Sequence, residues 1–275
     1  MKKYIITAAA WLLVSCAFGQ TKPLIGVIFK GEDSTGRQDA IRNTVEDAFL
    51  RTKRFDFVDR SKLDQVASLS AENAQVTAMR DLSAQYLVVG NVVSVMDDKR
   101  QTKLPVFGTA VTPQTEIIFN VKVVDVNSGD MVASGNFANT AKGKNAFNDA
   151  LMSTRSRLDK FVKDNFRLTA AIASIEEKTA YGDAAKVLLS AGKAVDLKEG
   201  DEFKVYESVE VTVDGKKISR KKTVGKIVVS RIEDEHFSVC TVLEGAAEIT
   251  KLLGGGATLR CELTAEAPKK LFFQK

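Results

Sequence analysis

Hydrophobic and polar positions change period several times along this chain, and each change predicts an element. Residues 24–29, Leu24-Ile25-Gly26-Val27-Ile28-Phe29, are an unbroken apolar run rich in β-branched side chains, the pattern of a strand covered on both faces. A polar stretch over 30–36 follows. Ile41, Val45, Ala48 and Phe49 then fall on one face of a helix spanning 38–52. Residues 55–58 alternate as a short strand. Ser61-Lys62-Leu63-Asp64 has the form of a capping box and places a helix from Ser61 to about Ala71. A second short helix near 77–84 leads into an apolar strand over 86–95. Residues 96–115, which contain Pro105 and Pro113, read as a long loop. In 116–126, Ile117, Phe119, Val121 and Val123 share one face, while Ile118, Asn120, Lys122, Val124 and Val126 share the other. Asn127-Ser128-Gly129-Asp130 makes a tight turn, and 131–140 returns as a hairpin partner. Phe147, Leu151, Thr154, Leu158, Phe161, Val162 and Phe166 mark a long amphipathic helix. The order β-α-β-α-β-β-β-α describes a layered α/β unit ending near Arg167.

Beyond that point the period shortens to that of strands. Residues 168–177, 187–190, 202–213, 223–232 and 237–243 are strand-like, with one helical patch at 246–251. Val213-Asp214-Gly215-Lys216 carries the Asp-Gly hairpin signal. Short strands separated by turn residues predict a small all-β barrel or sandwich. The expected organisation is therefore a leader over 1–19, an α/β domain over 20–167 with a mixed sheet and packed helices, a small barrel-like domain over 168–265, and a tail over 266–275.

The first residues set the compartment. Lys2 and Lys3 precede an uncharged, mostly apolar core over 4–14. That core is too short to cross a bilayer, which takes about 20 apolar residues, and fits the core of a secretory signal. Two processing routes stay open. Leu13-Val14-Ser15-Cys16 resembles a lipobox, making Cys16 a candidate lipid attachment site and the chain a lipoprotein anchored to the outer membrane. Ala17-Phe18-Gly19 equally suits ordinary signal peptidase, which would leave a soluble periplasmic protein. Cys240 and Cys261 remain as an even pair. They are candidates for a disulfide in an oxidising compartment, with two buried reduced thiols as the alternative.

Three segments carry a family resemblance. Residues 54–64 (Arg54-Phe55-Asp56-Phe57-Val58-Asp59-Arg60-Ser61-Lys62-Leu63-Asp64), the strand entry Ala84-Gln85-Tyr86-Leu87-Val88-Val89-Gly90, and Asn120 through Val132 with its Val124-Asp125-Val126-Asn127-Ser128-Gly129 core occur in this order. Together they resemble the curli production assembly/transport component family over residues 24–167. The resemblance implies an α/β fold shared with the amino-terminal domain of the Tol-system propeller protein and with lipoprotein activators of peptidoglycan synthases. It also implies an assembly or transport role in the periplasm or at the outer membrane. Gly200-Asp201-Glu202-Phe203-Lys204-Val205-Tyr206 and Val224-Gly225-Lys226-Ile227-Val228-Val229 are similar to the small carboxy-terminal β domain of a flagellar assembly protein.

Channel members of the curli-type family place two β-hairpins per subunit in the outer membrane. Here Asp97, Asp98, Lys99 and Arg100 follow one another in the first candidate segment, and the second, from Asn136 to the helix near Ala146, has room for barely one strand. An oligomeric outer-membrane secretion channel is therefore the alternative, and an accessory acting by protein–protein contact is the expected role.

Composition narrows the rest. The formal charge of +5 falls to +3 without Lys2 and Lys3, far from the dense basic surface that nucleic acids require. One His and three Cys leave little for a zinc site. Gly31-Glu32-Asp33-Ser34-Thr35-Gly36-Arg37-Gln38 imitates a phosphate loop, but Arg37 and Gln38 replace its Lys and Ser/Thr, and two acids would repel a triphosphate. His236 and the acidic triplet Glu233-Asp234-Glu235 read as a solvated turn, and Gly254-Gly255-Gly256 as a flexible one. Lys216-Lys217 and Arg220-Lys221-Lys222 read as a hairpin edge kept soluble by lysine, with anionic headgroups or glycans as the sharper alternative. The expectation is no enzyme and no cofactor. Its partners would be one or more envelope proteins, with a homo-oligomer open.

Overall fold

The computed structural model describes residues 22–30, 36–104 and 108–267. Cys16, the signal segment, most of the phosphate-loop imitation and the end of the tail lie outside them. The chain builds a mixed α/β unit and a closed antiparallel barrel, as the periodicity predicts.

The first sheet contains β1 (Leu24–Lys30), β2 (Asp56–Phe57), β3 (Tyr86–Leu104), β4 (Gly108–Asp125) and β5 (Met131–Lys142), ordered β2-β1-β3-β4-β5. The β1 strand runs parallel to β2 and β3, whereas β3, β4 and β5 are antiparallel. Both faces are covered. Helices α1 (Arg37–Leu50) and α4 (Ala146–Asn165) lie on one, where Ile25, Val27, Phe49, Val88, Phe119, Val121 and Leu158 form the main core. Helices α2 (Arg60–Ala67) and α3 (Glu72–Asp81) lie on the other, over Ile28, Leu63, Met79, Leu87 and Val124. The alternation read in 116–126 is the physical basis: the odd positions 117–123 are all at most 1% exposed under α1 and α4. Gly26 lets the second helix pair approach, since a Cβ there would stand 2.4 Å from the Met79 Cε and 2.5 Å from a Leu63 methyl.

Several expected boundaries move. The helix expected at 77–84 is α3, shifted toward its N-terminus because it buries Gln75, Val76 and Met79 and stops where Ser83 takes φ +58°. The capping box is not used: Asp59 occupies the N-cap of α2 and Ser61 lies inside the helix. The larger correction concerns 96–115. The described residues of this segment, 96–104 and 108–115, are paired strands rather than loop, with Asp97 opposite Thr115, Lys99 opposite Pro113 and Leu104 opposite Gly108. Pro113 is tolerated because its carbonyl accepts from the Gly143 N–H on the β5 side, so its missing N–H faces the edge where β5 has already ended.

The barrel consists of β6 (Thr169–Lys178), β7 (Ala184–Leu189), β8 (Glu202–Val213), β9 (Lys216–Ile232), β10 (Ser238–Glu244) and β11 (Leu259–Ala265), closed in the order β10-β7-β6-β11-β8-β9, with α5 (Ala246–Gly254) packed on it. Leu189, Phe203, Val205, Ile227, Cys240, Leu259 and Cys261 fill its interior. The β9 strand starts earlier than expected, because the Asp-Gly turn works as its chemistry dictates. Asp214 and Gly215 both take positive φ, +49° and +75°, and Val213 pairs directly with Lys216.

Candidate functional site

Two features of the fold combine exposure with defined geometry: a β ribbon projecting from the α/β sheet, and a cleft where that sheet meets the barrel.

The ribbon is the outer part of β3 and β4. Pairing of β3 with β1 ends at Asn91, and pairing of β4 with β5 ends at Gln114, yet β3 and β4 stay paired to Leu104 and Gly108. Among the described residues, 99–104 and 108–113 therefore have no third strand on either edge. Their outward N–H and C=O groups form a template for another chain. The root is latched. Asp97 accepts from Arg37 Nη2 at 2.7 Å and from the Thr115 hydroxyl at 2.8 Å, and the Arg37 guanidinium sits 5.2 Å from the centre of the Phe147 ring. The Arg37 hydrogen bond, helped by Thr115, holds the Asp97 carboxyl below the usual carboxylate range. Arg37, the residue standing at the phosphate lysine's position, is thus engaged with a carboxylate of its own chain. Gly36 at φ +71° is the N-cap of α1.

The cleft, about 820 Å³, opens between β1, the α4–β6 link and the barrel wall. Phe166, the residue after α4, packs its ring against the α/β core at the edge of the cleft. Its ring lies 5.8 Å from Phe49, 5.5 Å from Phe55 and 5.3 Å from Tyr86. Arg54 donates through Nη1 to the Phe166 carbonyl at 3.0 Å and reaches Glu266, beyond β11, at 3.5 Å. Lys163 holds the same carboxylate at 2.6 Å. The Arg54 Nε is buried and has no partner among the described residues. Burial, only partly opposed by Glu266, draws its pKa below the ordinary arginine value. Across the cleft, Glu262 accepts from Lys221 at 2.5 Å and pairs with Arg167 at 3.5 Å.

The remaining sequence candidates are dispersed. Cys240 and Cys261 are both free and fully buried. They sit in β10 and β11, which are not adjacent strands: two strands separate them in either direction around the barrel. Burial pushes the Cys240 thiol up to about 12 and the Cys261 thiol further, so neither is a thiolate near neutrality. His236 is exposed, and its N–H and that of Phe237 donate to the Asp234 carboxylate, closing a local turn. No cluster of three potential metal ligands occurs among the described residues. The basic run near the Asp-Gly turn is largely paired within the chain, Lys217 with Glu210 at 3.2 Å and Lys222 with Glu248 at 3.6 Å. The ribbon and Arg54 both escaped the sequence reading. Consecutive charges and a proline masked the first, and the second acquires its role from residues more than a hundred positions away.

No family model and no curated protein matches the sequence. Among solved structures the chain is similar to the hypothetical protein CT253 from Chlamydia trachomatis, with 12% identity, TM-score 0.35, and coverage of 53% of this chain and 100% of that one. It is also similar to the lipoprotein GNA1162 from Neisseria meningitidis, with 10% identity, TM-score 0.35, and coverage of 52% and 99%. The LpoB C-terminal domain from Salmonella enterica matches at 14% identity and TM-score 0.29, over 42% and 81%. Likeness at this level carries no argument about function.

Proposed function

We propose that this chain is a non-enzymatic, exported accessory of cell-envelope assembly or transport, of the curli production assembly/transport component type, acting by protein–protein contact. Its signal-like first residues support export, and Cys16 is its candidate anchor to the outer membrane. The observation that carries the contact reading is the β3–β4 ribbon, whose edges are unpaired beyond Asn91 and Gln114. An exposed pair of strand edges fits a partner that adds a strand, main chain to main chain. The competing reading, a subunit of an outer-membrane channel, needs a lipid-facing row along such a ribbon. Asp97 and Lys99 lie on one face of it and Asp98 and Arg100 on the other, which disfavours a lipid face on either side.

The test is native mass measurement of the protein extracted from isolated envelopes in mild detergent, with intact mass spectrometry of its N-terminus. A parallel variant joins Asp97 to Thr115 through Asn-Gly, which trims the ribbon and keeps its latch. A monomer or small hetero-complex whose partner is lost on trimming, at unchanged melting temperature, supports the reading. A ring of many copies overturns it in favour of the channel. A partner retained by the trimmed chain removes the ribbon from the account.

A further inference from the structure

We propose that the cleft between the α/β unit and the barrel binds a phosphate-bearing ligand. This site is separate from the ribbon and stands whether or not the ribbon holds a partner. Five cations line the cleft, Lys22, Arg54, Arg167, Lys221 and Arg260, against the carboxylates of Asp164 and Glu262. Those carboxylates are already spent. Asp164 takes Lys160 at 2.7 Å, and Glu262 serves both Lys221 and Arg167. Lys22 and Arg260 have no ion partner among the described residues, and Arg54 keeps a buried Nε unused.

An excess of like charge in a concave, partly desolvated site is costly, and an anion relieves it. Arginine forks match the geometry of a phosphoryl group, donating two parallel hydrogen bonds where an ammonium offers a point charge. Phe55, Tyr86 and Phe166 add an aromatic wall beside the cations. The combination suits a phosphate ester carried on an apolar or ring-shaped group better than a bare small anion. These cations come from both units, Lys22 before β1, Arg54 before β2, Arg167 after α4, Lys221 on β9 and Arg260 on β11, so the site exists only when the two are docked.

Calorimetric titration of the full mature chain with inorganic pyrophosphate at low salt, beside co-sedimentation with phosphatidylcholine vesicles with and without phosphatidylglycerol, tests this. Arg260→Ala is the informative variant, because that side chain is exposed and unpaired and its loss leaves folding intact. Lys251→Ala, on α5 outside the cleft, controls for total charge. Pyrophosphate binding weakened about tenfold by Arg260→Ala and unchanged by Lys251→Ala supports the site and a soluble phosphate source. Binding confined to anionic vesicles and lost with Arg260→Ala supports it with a lipid headgroup as the source. Absence of both, or equal losses from the two variants, overturns it.

Discussion

Two hairpin ribbons leave this molecule, and they differ in how they are rooted and in what they present. The β3–β4 ribbon carries charge on both faces near its root. The β8–β9 ribbon, beyond Glu207, aligns Val209, Val211 and Val213 on one face, with Val211 opposite Ile218 and Val209 opposite Arg220. A glycine sits on the core side of each root. Gly90 in β3 is covered by the Phe29 ring, 2.1 Å from where a Cβ would sit. Gly225 in β9 meets the Glu244 backbone carbonyl at 2.2 Å. A ring can turn aside within its rotamers, whereas a paired carbonyl moves only with its strand. The barrel is therefore the stiffer base, and the α/β sheet the more forgiving one.

The sharpest test of that contrast is a pair of alanines. Gly225→Ala is expected to cost about 3 kcal/mol and Gly90→Ala about 1–2 kcal/mol, since overpacking strains a core in proportion to what must move. Urea unfolding midpoints decide it; an equal or reversed order would remove the distinction between the two roots.

A smaller effect separates the ribbons by pH. The β3–β4 root is latched by an acid, Asp97 on Arg37, whereas the β8–β9 root is tied through its lysines, Lys221 to Glu262 and Lys222 to Glu248. Because the folded Asp97 carboxyl titrates below the usual range, the stability it adds is present above the ordinary carboxylate range and fades as pH falls through the lowered folded value. Asp97→Asn should lower stability by about 0.5 kcal/mol near neutrality, as expected of a half-exposed pair. The difference from the native protein should vanish in acid. A gap that persists or widens below the carboxylate range would mean the aspartate acts through something other than charge.

The smallest effect expected is at the tip of the second ribbon. Ile218 is 51% exposed and Val213 48%. Ile218→Lys should change stability by less than about 0.5 kcal/mol, because little apolar area is removed from water there. A thermal melt showing a larger loss would mean that the apolar face is packed in solution.

Much of this fold is legible as local pattern. The runs at 24–29 and 116–126, the helix at 147–166 and the Asp214-Gly215 turn each follow from a period of two, a period of 3.6 or a backbone preference for positive φ. The 96–115 segment is the instructive failure. Charge and proline argue against a strand buried in a sheet, but positions 96–101 are exposed on both faces and have no interior to protect, and Pro113 sits where no donor is required. The capping box failed because the helix begins before Ser61, at Arg60, which places Ser61 inside the first turn.

What the sequence alone determines, then, is which segments are strands and helices, that an α/β unit precedes a β unit, and that the first residues resemble an export signal. Only the tertiary structure decides which strands become neighbours. Closure of the barrel puts Cys240 and Cys261 two strands apart in either direction around its wall, and docking brings Glu266 onto Arg54 and Lys163. The reason is range: periodicity is a property of a few consecutive residues. A cleft built from positions 22, 54, 167, 221 and 260 depends on surface burial and ion pairing summed over the whole chain, which no window of sequence contains.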